Sequence, residues 1–172
     1  MNRIKTTFEQ LNKDNKKALG IFVTAGDPDF ETSLKLITNL PDSGVDFIEI
    51  GMPFSDPMAD GPSIQLSSQR ALKSGMNLNK CLSLIKIFRE KNSHTPIILM
   101  GYYNPIYKFG KKEFIKKCIE LGVDALIIVD LPPEEDDEFY FDAEKNNLSM
   151  IRLVTPTTDE KRLKKILLNA TG

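Results

Sequence analysis

One carboxyl in this sequence stands where carboxyls are rarely placed without a purpose. Glu49 interrupts the apolar run "VDFIEIG" (45 to 51), and the chain then opens into "MPFSDPMADGP", which carries Asp56 and Asp60 among prolines. Strand alternation puts Phe47, Glu49 and Gly51 on one face and Ile48 and Ile50 on the other. The isoleucines suit a face covered by helices. Glu49 must then point into the centre of a closed barrel or the crevice of an open sheet, where lost hydration raises a carboxyl pKa. An acid poised nearer neutrality can both give and take a proton. The competing reading is a structural Glu paired with a buried base, and Arg152 is the only basic residue within the candidate strands.

Asp56 and Asp60 lie in a segment where Gly51, Pro53, Pro57, Gly61 and Pro62 disfavour regular structure. The segment follows the C-terminal end of a strand, where barrels and open α/β sheets place their chemistry. Tyr102, Tyr103 and Asn104 stand at or after the end of the next strand, and Asp130 after the one following. Aromatic side chains there would wall an apolar, ring-shaped ligand or cap a barrel rim. His94, the single histidine, sits in the polar turn "KNSHTP" and reads as a surface residue. One copy builds neither a histidine triad nor a zinc site. Glycine-rich phosphate motifs of the dinucleotide or Walker type are absent.

The elements that must position these groups follow from periodicity. Apolar, β-branched runs at 20–25, 45–51, 96–102, 123–129 and 148–154 are candidate strands. Between them, "ETSLKLITNL", "NKCLSLIKIFRE", "KKEFIKKCIELG" and "EKRLKKILL" repeat apolar residues at helical spacing. Buried strands alternating with amphipathic helices imply an α/β fold with a parallel sheet. Gly44 and Gly122 are placed as helix stops, and "PDFETS" and "PTTDEKR" as helix starts. The acidic run "EEDDE" (134 to 138) reads as a solvated first helical turn.

Composition narrows the functional classes. The 172 residues, 41% hydrophobic and 27% charged, suit one globular domain over 1–172. With 23 basic against 24 acidic residues, neither nucleic acid nor a membrane surface is the expected partner. Cys81 and Cys118 fall in helical stretches, which argues against a disulfide framework or thiolate metal site. The N-terminus lacks a signal-peptide core and the longest apolar run, "ALIIV", cannot span a bilayer, so a cytoplasmic protein is expected.

Four segments, "FVTAGDPD" (22 to 29), "IEIGMPFSDPMADGP" (48 to 62), "MGYYNPIYKFG" (100 to 110) and "DLPPEE" (130 to 135), together resemble the tryptophan synthase alpha chain family, in the family's order. The resemblance implies a (β/α)₈ TIM barrel and retro-aldol cleavage of indole-3-glycerol phosphate to indole and glyceraldehyde 3-phosphate. It implies Glu49 as general acid/base and Asp60 as the carboxylate that accepts from the indole N–H. It implies an indole pocket of Phe22, Met100, Tyr102, Ile127, Val129 and Leu153. Pro53, Phe54, Asp56, Asn104 and Pro132 would face a beta subunit in an alpha2beta2 assembly. Pyridoxal phosphate would belong to that partner, with no cofactor in this chain. Met52, Met58 and Val129 depart from the family's usual apolar choices and affect pocket shape.

A (β/α)₈ barrel takes about 250 residues, so this chain accounts for about the first five βα units. The loops after strands seven and eight, which usually hold phosphate in such barrels, are outside it. Little or no lyase activity is therefore expected of the chain alone, since remote binding energy orients the reacting centre. The runner-up is a non-catalytic partial barrel that binds or activates the beta subunit.

Overall fold

In the computed structural model, which describes residues 3–171, five short strands form one sheet in sequence order, every adjacent pair parallel. They are β1 (Gly20–Thr24), β2 (Phe47–Gly51), β3 (Ile97–Gly101), β4 (Ala125–Ile128) and β5 (Ser149–Met150). Parallel neighbours need crossovers, and helices supply them. These are α2 (Phe30–Asn39), the pair α3 (Pro62–Lys73) and α4 (Leu78–Lys91), the pair α5 (Tyr103–Phe109) and α6 (Lys111–Leu121), and α7 (Asp137–Lys145). Helix α1 (Arg3–Lys13) precedes the sheet and α8 (Glu160–Leu168) follows it. This is an α/β fold, as the sequence pattern requires.

Local chemistry sets the boundaries. Asp29, Asn77 and Asp159 cap α2, α4 and α8 by accepting from Thr32 N (2.8 Å), Lys80 N (3.0 Å) and Arg162 N (2.7 Å). Gly122 ends α6 in the left-handed conformation at φ 76°, a position open to glycine at little cost.

The register aligns Phe22, Glu49, Ile98, Ala125 and Ser149 across the sheet. Odd and even positions separate as the alternation predicts. Ile48, Ile50, Ile97, Leu99, Leu126 and Ile128 join the large core against Leu84, Phe88 and Phe114 of the helices. Each such side chain contributes about 1.5–3 kcal/mol when fully buried. On the other face Ile98, Ala125 and Ile127 gather with Ile4 of α1, flanked by Phe47, Met100, Val129 and Ile151. Glu49 therefore belongs to the concave, inner side of the sheet.

Two expectations need correction. The fifth strand, read as 148–154, holds ladder geometry only over Ser149–Met150. Ile151 N makes a last bond to Leu126 O (2.9 Å), and the chain then leaves the sheet although β4 runs on to Ile128. The acidic run is only in part a solvated turn, since Glu134, Glu135 and Glu138 are exposed but one of its acids is not. Asp136 is fully buried and pairs with Arg152, and Glu134 pairs with Arg162 and Lys165 of α8. Glu138 pairs with Lys111 of α6 (2.5 Å). Basic residues distant in sequence recruit these acids, and helical spacing carries no sign of that.

Candidate active site

Glu49 reaches its position because two aromatic rings occupy the room that two glycines leave. A Cβ on Gly20 would lie 2.1 Å from the Phe47 ring, and one on Gly51 would lie 2.5 Å from the Phe22 ring. The rings of β1 and β2 thus pack across each other on the inner face, with Glu49 in the same row as Phe22. Glu49 opens on a hollow of about 540 Å³ lined by Phe8, Phe47, Ile98, Met150, Ile151 and Leu167, with Arg152 at its edge. Burial raises the Glu49 pKa above its ordinary 4.5. Among the described residues nothing neutralises it. Arg152, the one candidate base, turns its guanidinium to Asp136 and gives Nε to Asn169 O (3.3 Å).

Asp60 is held differently. Its N–H closes a turn onto Pro57 O (3.1 Å), and Gln65 Nε2 of α3 donates to its carbonyl (2.8 Å). Phe22, Thr24, Ser68, Met100, Tyr102 and Val129 surround it, leaving a gap of about 10 Å³. That barely admits a water molecule. Four of the six residues expected to line an aromatic pocket, Phe22, Met100, Tyr102 and Val129, are brought together here. Ile127 lies in the inner apolar cluster, 4% exposed. Leu153 is 50% exposed, in a cleft at the rim with Val129, Asp130 and Pro132, because the strand that would have turned it inward ends at Met150. The two acids open on separate hollows, with Phe22 the register partner of one and a wall of the other.

Pro53 and Phe54 are partly buried, while Asp56, Asn104 and Pro132 are exposed along the same end of the sheet. Asp56 accepts from the Ser55 hydroxyl (2.5 Å), and Met58 beside it is 77% exposed. The Phe54 ring centroid lies 5.4 Å from that of Tyr102.

Sequence reasoning passed over the hydroxyls beside Asp60. Thr24 Oγ1 and Ser67 Oγ share a buried hydrogen bond of 2.6 Å, and Ser68 next to them is 4% exposed. Their one signal is paired serines within a helix, where propensity is unhelpful and a reason for them is needed. No group of three or more His, Cys, Asp or Glu could hold a metal among the described residues. Cys81 and Cys118 are buried, and burial pushes the Cys81 thiol up to about 12, so neither is a nucleophile at neutral pH.

A family model described as the tryptophan synthase alpha chain matches residues 8–172. The chain belongs to the tryptophan synthase alpha chain family. Among solved structures it is similar to tryptophan synthase subunit alpha from Legionella pneumophila str. Paris, at 44% identity and TM-score 0.96 over 100% of this chain and 66% of that one. A tryptophan synthase structure from M. tuberculosis matches at 30% identity and TM-score 0.92, over 100% of this chain and 68% of that one. One of the a2b2 complex of Pyrococcus furiosus matches at 42% identity and TM-score 0.84, over 90% of this chain and 62% of that one. The chain thus spans about two thirds of the alpha chains it matches, and its five strands correspond to part of their TIM barrel.

Proposed function

We propose that this chain carries the acid–base half of a carbon–carbon lyase site that cleaves indole-3-glycerol phosphate to indole and glyceraldehyde 3-phosphate. The observation that supports this most is Glu49, half-buried on the concave face, without a cation among the described residues and with its pKa raised. A carboxyl in that state is a competent general acid.

Protonation of indole C3 by Glu49, with Asp60 holding the ring N–H, turns the ring into an electron-poor indolenine. Loss of the adjacent glycerol hydroxyl proton to the carboxylate then forms the aldehyde. The carbon–carbon bond breaks and its electron pair returns to the ring, releasing indole. An anion at Asp60 offsets the positive charge that develops on nitrogen, and each role is worth on the order of 10²-fold. Both proton transfers use side chains, so we assign no cofactor to this chain.

Pro53, Phe54, Asp56, Asn104 and Pro132 form the surface we assign to a beta subunit, since the Pyrococcus furiosus relative belongs to an a2b2 complex, and to that partner we assign pyridoxal phosphate. Among the described residues no helix is long and apolar enough to cross a membrane. We place the reaction in the cytoplasm.

The test is indole release from indole-3-glycerol phosphate by the 172-residue chain at high substrate concentration, with Glu49→Gln and Asp60→Asn in parallel. The expected rate is low, at least about 10²-fold below that of full-length relatives, because the chain spans about two thirds of their length and barrels of this kind usually orient phosphate from the loops after strands seven and eight. Both variants should drop it to background. Residual turnover unchanged by Glu49→Gln would overturn the assignment.

A further inference from the structure

The loop that carries Asp60 has few supports of its own. Between Pro53 and Asp60 its own bonds are local: Met58 N to Asp56 O (2.9 Å), Asp60 N to Pro57 O (3.1 Å) and Ser55 Oγ to Asp56. Two side chains from outside the loop reach it, the first being Gln65 of α3, whose Nε2 donates to Asp60 O at 2.8 Å. The Tyr102 hydroxyl accepts the N–H of Ala59 at 3.0 Å, and its ring packs on Phe54. Ala59 is itself exposed, and this hydroxyl is the hydrogen-bond partner of its amide among the described residues.

Tyr102 is well placed for such a duty. It is 3% exposed and sits where β3 passes into α5, in extended geometry at φ −108° and ψ 152°. The next residue is fixed too, since Tyr103 N–H donates to Asp130 Oδ1 at 2.7 Å. A phenol has one proton and two lone pairs. With a lone pair taken by Ala59, the proton is left to give, and Asp60 lines the same small gap as Tyr102. Burial, followed by the charge and hydrogen bond of Asp60, holds the Tyr102 pKa above its usual value against the opposing pull of the Ala59 N–H.

We propose that Tyr102 is a positioning residue for Asp60: its hydroxyl, clamped to Ala59, and its ring, packed on Phe54, fix the loop so that the Asp60 side chain is held where a ring N–H can reach it. The proposal rests on the lyase reading for the identity of that N–H. It deepens that reading by naming what holds the second carboxylate in place. The gap beside Asp60, about 10 Å³, is smaller than any aromatic ring. Ring binding therefore displaces the loop, and Tyr102 defines the position to which Asp60 returns.

Tyr102→Phe keeps the ring and deletes the oxygen. The first readout is hydrogen exchange at the Ala59 amide, which should become ten-fold faster or more while the α5 amides and the thermal midpoint stay as in the parent chain. The second is binding of indole against benzofuran, an isostere with no ring N–H, followed by NMR titration. The parent chain should prefer indole, and Tyr102→Phe should lose that preference with benzofuran affinity unchanged. In an Asp60→Asn background the tyrosine change should alter the preference no further. Unchanged Ala59 exchange overturns the proposal, and so does an equal loss of affinity for both rings. A parent chain that does not distinguish the two rings counts against the lyase assignment of Asp60, and Ala59 exchange then decides the role of Tyr102 by itself.

Discussion

Arg152 gives its guanidinium to Asp136 and leaves Glu49 without a cation among the described residues, although both Arg152 and Glu49 line the same hollow. The pairing decides the electrostatic state of the site. Had Arg152 turned inward, Glu49 would be held ionised and unable to deliver a proton. Instead its pKa lies above 4.5 because burial disfavours the charge.

A stability prediction follows from that direction. The folded chain binds the Glu49 proton more tightly than the unfolded chain does. The contribution is present in full below the ordinary glutamate value and is lost as pH rises through the raised folded value. Glu49→Gln should therefore match the parent near pH 4 and be the more stable protein at pH 7. The gain should stay under about 1 kcal/mol, because solvent still reaches the group. Urea unfolding at both pH values measures it, and a less stable Glu49→Gln at pH 7 would contradict an unpaired carboxyl.

The Arg152–Asp136 pair itself should be costly to break on one side. The two side chains are 6% and 0% exposed, and Arg152 also lies over the Tyr140 ring at 6.0 Å. Arg152→Met strands a buried carboxylate and should destabilise the fold by about 3–5 kcal/mol. Arg152→Met combined with Asp136→Leu should recover most of that loss, since apolar replacement of a buried pair is often neutral or better. Denaturation midpoints of the single and double variants test this. A double variant as weak as Arg152→Met alone would mean that the pair holds β5 and α7 together through geometry as well as charge.

Much of this arrangement was legible before any coordinates. Alternation alone assigned Glu49 and Ile48 to opposite faces, because strand geometry has a period of two and leaves no third choice. Asp29, Asp159 and Gly122 marked helix ends through chemistry contained in a few neighbouring residues. Local pattern stops where partners come from far along the chain. Asp136 finds Arg152, Glu134 finds α8, and Tyr102 finds Ala59, each across a separation that no periodicity encodes. The roles proposed for Glu49 and Asp60 come from the family resemblance and not from local pattern. That resemblance did not convey that Leu153 would be exposed, which depends on the chain leaving the sheet just after Met150.

At the opposite end of the sheet from Asp60, Asp124 holds three elements at once. Its carboxylate, 4% exposed, accepts from Arg3 (2.9 Å), Arg89 (2.8 Å) and the N–H of Ile97 (2.8 Å). Arg89 in turn donates to Gly122 O (3.0 Å) and Thr95 O (2.7 Å). Burial pulls the Arg89 pKa down to about 10 against the attraction of Asp124. Removing the acid leaves a largely buried guanidinium unpaired, so Asp124→Ala should cost about 3–5 kcal/mol. Arg3 is 25% exposed, and Arg3→Ala should cost about 1 kcal/mol or less. That smaller change has a local consequence, because α1 brings Ile4 to the cluster with Ile98 and Ala125 beneath Glu49. Amide exchange in α1 should accelerate in Arg3→Ala while α4 and α6 remain protected. Equal exchange in all three helices would show that α1 is held by its apolar face alone, with the ion pair contributing nothing to its docking.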